Sequence, residues 1–347
     1  MENPIIKEDL KFIASSYLPW DKLEGKNILI SGANGFLPSY LVKTILFLNK
    51  NKFKKKAKVF AIDRADNRIA PYVGKDELVF IKQDICQPIT IKDEIHFLIH
   101  AASQASPKYF GKDPVGTLSA NILGTKNLLE FAVAKKVESF LFFSSSEIYG
   151  QVPERDMPVK ESACGCLDLA DVRSCYAESK RMGETMCISW LHQHGVPVKI
   201  VRPFHNYGPG LNLDDGRVFA DFVSDIINNR NIIMKSDGKA LRSFCYIADA
   251  TVGFFTILLK GKNGEAYNLA NDKGEISVLD LANLLVRLFP EKNLKIEKKE
   301  GVEQGYLKSK VNRCSPDISK ITELGWKPKY SLEDGFKRTI TSFQNEI

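Results

Sequence analysis

The sequence predicts an α/β fold: a doubly wound parallel sheet followed by a smaller C-terminal lobe. Three observations predict it. Short apolar runs alternate with longer helical patterns through the first two thirds of the chain, and the first run ends in a glycine-rich turn that opens a helix. After about residue 203 the rhythm gives way to irregular stretches rich in Gly, Pro and Asn, such as Asn206-Tyr207-Gly208-Pro209-Gly210.

Taken in order, the strands are expected at Asn27–Ser31, Lys58–Asp63, Leu78–Gln83, Phe97–Ala101, Phe140–Ser144 and Val198–Arg202. Each is apolar almost throughout, which is what a strand needs when helices cover both faces of its sheet. The helices are expected at Phe36–Asn49, Gly116–Lys136, Cys175–His194 and Asp215–Asn229, where apolar residues recur at spacings of three and four. Residues 1–24 precede the first strand as an N-terminal extension. Residues 25–203 form a dinucleotide-binding domain and 204–347 mainly a second lobe, with some segments returning to the first. No internal repeat or low-complexity tract is present.

Composition narrows the function. With 347 residues, 44% of them apolar and 26% charged, the chain is an ordinary globular protein and not a collagenous, disordered or disulfide-scaffold one. The 49 basic residues exceed the 42 acidic ones by seven, an excess that suits an anionic small molecule better than nucleic acid. Lys50–Lys58 carries six lysines but only Phe53 as an aromatic, so it reads as a solvated loop and no nucleic-acid partner is expected. The longest apolar run, Ala250–Leu259, falls well short of the roughly 18 residues of a membrane span. Residues 1–24 contain Glu2, Glu8, Asp9 and Lys11 and lack the apolar centre of a secretory signal, so a cytoplasmic location is expected. Seven cysteines are an odd number, and Cys164-Gly165-Cys166 has one intervening residue and no second pair nearby; reduced thiols and no metal are expected.

Three places carry chemistry. The turn Ser31-Gly32-Ala33-Asn34-Gly35-Phe36-Leu37-Pro38 joins strand to helix, where backbone N–H groups and the helix dipole can hold a pyrophosphate. Asp63, at the end of the second strand, can accept hydrogen bonds from an adenosine ribose and repel a 2′-phosphate, favouring NAD, although the Arg64 guanidinium beside it could accept that phosphate. Tyr176-Ala177-Glu178-Ser179-Lys180 lies in a helix, so phenol and ammonium share one face a turn apart; the cation, aided by an oxidised nicotinamide, is expected to lower the phenol's pKa and make a general base. Upstream, Ser144-Ser145-Ser146-Glu147 closes a parallel strand at the carboxyl edge, where ligands bind in such sheets.

Together these residues resemble the extended short-chain dehydrogenase/reductase family that acts on nucleotide sugars. The likeness runs nearly end to end, through Gly32/Gly35, Asp63, Gln83-Asp84-Ile85, His100-Ala101-Ala102-Ser103, Asn121, Ser145, Tyr176/Lys180, Arg202-Pro203 to Gly208-Pro209, and Leu324-Gly325-Trp326-Lys327-Pro328. It implies a Rossmann-type fold with a substrate-binding C-terminal lobe, a nucleotide-sugar substrate, and a homodimer formed through helices around 116–136 and 175–194. It implies NAD contacts from Gly32, Asn34, Gly35, Phe36 and Leu37, from Asp63, Arg64, Asp84 and Ile85, and from Ala101, Ala102, Ser103, Asn121, Tyr176, Lys180 and Pro203. It gives Tyr176, Lys180, Ser145, Ser146 and Glu147 catalytic roles, and Ser103, Asn206, Arg217 and Arg242 substrate contacts. Ala102–Pro107, Ser144–Gly150, Arg173–Tyr176, Glu184–Met186 and Asp214–Val218 resemble the branch that decarboxylates UDP-glucuronate. The 4,6-dehydratases acting on dTDP-, GDP- or CDP-hexoses and the 4-epimerases remain alternatives, as does, more distantly, a noncatalytic NAD-binding sensor. Two departures stand out: Pro38 replaces the third glycine of the turn, and Ala163-Cys164-Gly165-Cys166 replaces a bulkier aromatic pair.

Overall fold

A computed structural model describes residues 3–299 and 311–344; Met1 and Glu2 of the expected extension, and residues 300–310 and 345–347 of the expected second lobe, lie outside the described residues. The chain begins with α1 (Pro4–Ser15) and runs through β1 (Asn27–Ser31), α2 (Phe36–Asn51), β2 (Lys58–Asp63), β3 (Leu78–Lys82) and β4 (Phe97–His100). It continues with α3 (Pro107–Lys112), α4 (Pro114–Lys135), β5 (Ser139–Phe143), α5 (Ser174–His194) and β6 (Val198–Pro203). The second half contains β7 (His205–Tyr207), α6 (Val218–Ile227), β8 (Ile232–Met234), β9 (Leu241–Tyr246), α7 (Ile247–Lys260), β10 (Ala266–Leu269) and β11 (Glu275–Ser277). It closes with α8 (Val278–Leu288), β12 (Ile296–Lys298), α9 (Ser319–Glu323) and α10 (Leu332–Gln344).

Seven strands form the main sheet in the order β10-β6-β5-β4-β1-β2-β3, and every neighbouring pair is parallel. Alternate side chains of each strand enter opposite cores, as the pleat requires. Ile28, Ile30, Leu141 and Phe143 join one core with α1, α2 and α7, while Leu29, Phe140 and Phe142 join the other with α4 and α5. The doubly wound parallel sheet expected from the apolar runs is therefore the observed one. Strand order reverses between β1 and β4, and the crevice outside their carboxyl ends is where such sheets bind ligands.

The second half is split. Strand β10 returns to pair with β6, and α7 packs on β5 and β6. Strands β11, β9 and β7 make a three-stranded sheet, with β7 following directly on β6, and β12 and β8 make a two-stranded one. The N-terminal segment also joins the body: Ile6, Leu10 and Ile13 of α1 lie in the core, and Asp9 is buried beneath them. Asp9 accepts from Tyr40 (3.3 Å), Tyr246 (2.8 Å) and Arg338 (2.8 Å), tying α1 to α2, the end of β9 and α10. Burial outweighs Arg338 and pushes the Asp9 carboxyl up to about 6. No helix among the described residues is long and apolar enough to cross a membrane.

Candidate active site

A cavity of about 770 Å³ opens at the carboxyl edge of the sheet, a size suited to a cofactor with a small-molecule substrate. At one end lies the β1–α2 turn. Gly32 has φ +69° and donates its N–H to Ile62 (2.8 Å); a Cβ there would stand 2.6 Å from Ala102 Cα. The close approach of the next strand's backbone therefore requires glycine. Gly35 precedes α2, and Pro38 occupies that helix's first turn, where its missing N–H is not needed. Asp63 receives Asn34 N–H (2.9 Å) on one oxygen and Arg64 N–H (2.7 Å) on the other, so its carboxylate is fixed at the tip of β2.

Lys180 and Tyr176 project from α5. The helix is held by Arg202 on β6, which binds Glu184 through Nε (2.9 Å) and Nη2 (2.6 Å) and donates from Nη1 to Tyr149 Oη (2.9 Å). It ends at Gly195, whose left-handed conformation (φ +70°) returns an N–H to Leu191. Buried Lys180 donates to the Phe143 carbonyl (2.7 Å), and burial lowers its pKa from 10.5 to about 7. Burial raises the Tyr176 phenol above its ordinary value, opposed by a hydrogen bond with Ser145 and by the Arg217 charge. Without nucleotide the phenol's own desolvation dominates, and Lys180, desolvated beside a carbonyl, is not among the groups that lower it; the expected lowering calls on an oxidised nicotinamide as well.

The Tyr176 ring is stacked on Phe110 of α3 (4.8 Å between centroids, 16° between planes). The Arg173 guanidinium lies over Phe110 and is paired with Glu147 at 3.2 Å. Glu147 is therefore held one turn of backbone from Ser145, whose Oγ accepts the Glu147 N–H (3.2 Å).

Most expected site residues line this one cavity: Gly32, Asn34, Gly35, Phe36, Leu37, Asp63, Arg64, Asp84, Ile85, Ala101, Ala102, Ser103, Ser145, Ser146, Glu147, Tyr176, Lys180, Pro203, Asn206 and Arg217. Two do not. The Asn121 amide donates to Ser179 Oγ (2.8 Å), bracing α4 against α5 next to Lys180 instead of facing the cavity. The Arg242 guanidinium donates to the carbonyls of Leu241 (2.7 Å), Val311 (2.9 Å) and Asn312 (3.1 Å), because the segment at 311–312 runs beside β9. The sequence assigned no role to Arg68, Phe110, Arg173, His205 or Asp215, although Arg173 and Asp215 fall in stretches that carry the resemblance. The i, i+3 spacing of Arg173 and Tyr176 was a usable signal, whereas nothing local distinguishes Phe110 from a core aromatic.

The cavity fits a dinucleotide and a polar ligand together. The glycine turn is a cradle that a Cβ would fill. Ser103 Oγ, Ser144 Oγ, His205 Nδ1 and Asn206 Oδ1 line it, buried and without a hydrogen-bond partner among the described residues. Groups of this kind are normally paired, so they mark where ligand atoms belong. Burial and the nearby charges of Arg242 and Arg217 keep His205 well below its ordinary pKa, hence neutral.

Comparison with known proteins agrees with this geometry. Residues 28–270 match the NAD dependent epimerase/dehydratase family. The chain is 34% identical over 310 residues to UDP-glucuronic acid decarboxylase 3 of Arabidopsis thaliana, covering 89% of this chain and 86% of that protein. It is 31% identical to UDP-glucuronic acid decarboxylase 1 of Xenopus tropicalis over 93% of this chain and 73% of the relative. Among solved structures, UDP-glucuronic acid 4-epimerase from Bacillus cereus, in complex with UDP-glucuronic acid and NAD, is similar with a TM-score of 0.77 and 25% identity, covering 92% of this chain and 100% of that one.

Proposed function

The chain belongs to the NAD-dependent epimerase/dehydratase family, and from that premise we propose that it is a UDP-glucuronate decarboxylase. One observation carries the choice of reaction: the turn after β5 presents Ser146 and a Glu147 carboxylate committed to Arg173. Neither is poised to protonate a departing hydroxyl, as a dehydration requires. Loss of carbon dioxide needs no such acid. The identity to two UDP-glucuronic acid decarboxylases over about nine tenths of the chain supports the same reading.

Gly32, Asn34, Gly35 and the first turn of α2 would hold the NAD pyrophosphate, Asp63 the adenosine ribose, and Lys180 the nicotinamide ribose. When bound, NAD supplies a hydride acceptor and donor at the sugar C4. Tyr176 would act as a phenolate, the form that the positive nicotinamide ring of bound NAD and Lys180 would favour, so that its Oη takes the proton of the C4 hydroxyl, with Ser145 hydrogen-bonding the phenol and the C4 oxygen. The resulting C4 ketone is β to the C6 carboxylate, so the bond to that carboxylate can break with its electrons collected in an enolate. Ser146 and the Arg173-paired Glu147 then orient a water that returns the proton at C5. Ser103, Asn206 and Arg217 face the substrate.

Incubation with UDP-glucuronate and NAD should release carbon dioxide and a UDP-pentose, read by mass spectrometry. The similarity to a UDP-glucuronic acid 4-epimerase favours one second reading, for which the same assay would return an isomer of unchanged mass. Exposed Val115, Leu123 and Val133 on α4 and Met182 and Ile188 on α5, two helices packed side by side, support a homodimer through this face. Seven unpaired cysteines support a reducing, cytoplasmic setting.

A further inference from the structure

The substrate end of the cavity carries a buried carboxylate among cations. Asp215 is paired with Arg217 at 2.7 Å, and its side chain is 12% exposed. Arg217 also donates to the Ala105 carbonyl (2.8 Å), and Ser106 Oγ donates to the Asp215 carbonyl (2.6 Å). Lys108 of α3 holds neighbouring Asp214 at 2.5 Å, and Arg68, from the loop after β2, feels the Asp215 charge. Asp215, Arg217 and Arg68 all line the cavity. A site for a dianionic diphosphate gains from its guanidinium groups, and a desolvated carboxylate among them works against it.

We propose that the Asp215 carboxylate is an internal competitor for the site's anion-binding guanidinium: it holds Arg217 until the diphosphate of a nucleotide sugar displaces it, and so sets the affinity for that diphosphate. This rests on the nucleotide-sugar reading above, but not on the fate of the sugar. With Asp215 in place, Arg217 is ordered without ligand, and part of the attraction for any anion goes into breaking that pair. Displacement leaves Asp215 beside both a phosphate and a buried wall, a position that favours its neutral form. Burial already raises its pKa against the opposing influences of Arg217, Ser106, Lys108 and Arg68. Tyr176 of α5 faces both members of the pair, and His205 of β7 faces Arg217. Binding should therefore take up a proton.

The test is calorimetry of UDP-glucose binding to the NAD-loaded protein, a probe whose sugar carries no carboxylate of its own. Asp215→Asn should bind about five- to twentyfold tighter than wild type. Asp215→Glu, which restores the charge, should return toward wild type. Proton uptake, measured in buffers of different ionisation enthalpy, should be present in wild type and lost in Asp215→Asn. Weaker binding by both variants would show that Asp215 merely positions Arg217 and would overturn the proposal, as would absence of proton uptake in wild type. Should wild type bind no UDP-glucose, the proposal and the nucleotide-sugar reading fall together; should it bind but leave UDP-glucuronate unchanged, only the decarboxylase reading falls.

Discussion

Replacing Lys180 by Met should abolish turnover and yet stabilise the nucleotide-free protein in mildly acidic solution. Lys180 is 2% exposed, with the Phe143 carbonyl as its polar partner and the Phe142 and Tyr176 rings around its stem. Its pKa falls from 10.5 to about 7 on folding. At about 1.4 kcal/mol per pKa unit, the change amounts to roughly 5 kcal/mol against the charged form. The sign follows from proton binding. Below pH about 7 both states hold the proton and the penalty is present in full, whereas between about 7 and 10.5 the unfolded chain binds more protons, so stability rises with pH. Methionine has no such titration, but it leaves the Phe143 carbonyl without its donor, which costs about 1–3 kcal/mol. The variant should therefore be more stable than wild type by about 2–4 kcal/mol at pH about 6, and the gap should shrink by about 2 kcal/mol by pH about 8.5. Asp9 and Asp249, each near 6, and Lys199, near 8, titrate in both proteins and cancel in the difference. Urea unfolding followed by fluorescence of buried Trp20 and Trp326 reads it. A gap that does not change with pH, or a variant weaker than wild type at pH about 6, would refute the reasoning.

Three further outcomes are expected. Tyr176→Phe keeps the ring stacked on Phe110 but removes the proton acceptor; kcat should drop by about 10²–10⁴-fold while NAD affinity, read by fluorescence titration, is unchanged. Gly32→Ala places a Cβ 2.6 Å from Ala102 Cα at φ +69°, so NAD binding should weaken by at least about tenfold, with a lower Tm in a thermal scan. Glu184→Gln leaves the buried Arg202 guanidinium without its counter-charge, and urea unfolding should show a loss of about 3–5 kcal/mol.

The sheet was legible in the sequence because strands covered on both faces are continuous apolar runs, and the observed boundaries of the first six differ from the expected ones by at most a residue at either end. Strand β10 was not legible. Ala266–Leu269 is short and lies in the irregular half, and only its parallel pairing with β6 assigns it to the main sheet. The residues of the glycine turn and the Tyr176/Lys180 helix were legible for a local reason, since φ, helix phase and strand end are all set within a few residues. Arg242 and Asn121 show the limit of that logic. Each has a side chain suited to a ligand, but a distant segment, at 311–312 for one and at Ser179 for the other, claims its donors first. The N-terminal helix is similar: nothing near Asp9 in sequence announces Tyr40, Tyr246 and Arg338, which come from three other helices or their ends.

These observations bear on how stability and function divide the charges of this fold. Where a buried ion pair is purely architectural, as for Arg202 and Glu184, both partners find their counter-charge inside the protein and the guanidinium is held firmly protonated. The cavity is arranged differently. Among the described residues, Lys180 has only a carbonyl, Tyr176 has a hydroxyl and a distant guanidinium, and Ser103 and Ser144 have no partner. Each carries a desolvation penalty that a ligand of complementary polarity can relieve, so ligand binding should act as a large share of the folded state's stability. Asp215 is the cavity carboxylate paired with the guanidinium that a diphosphate would use, and the same logic makes it a group that a ligand must displace instead of satisfy.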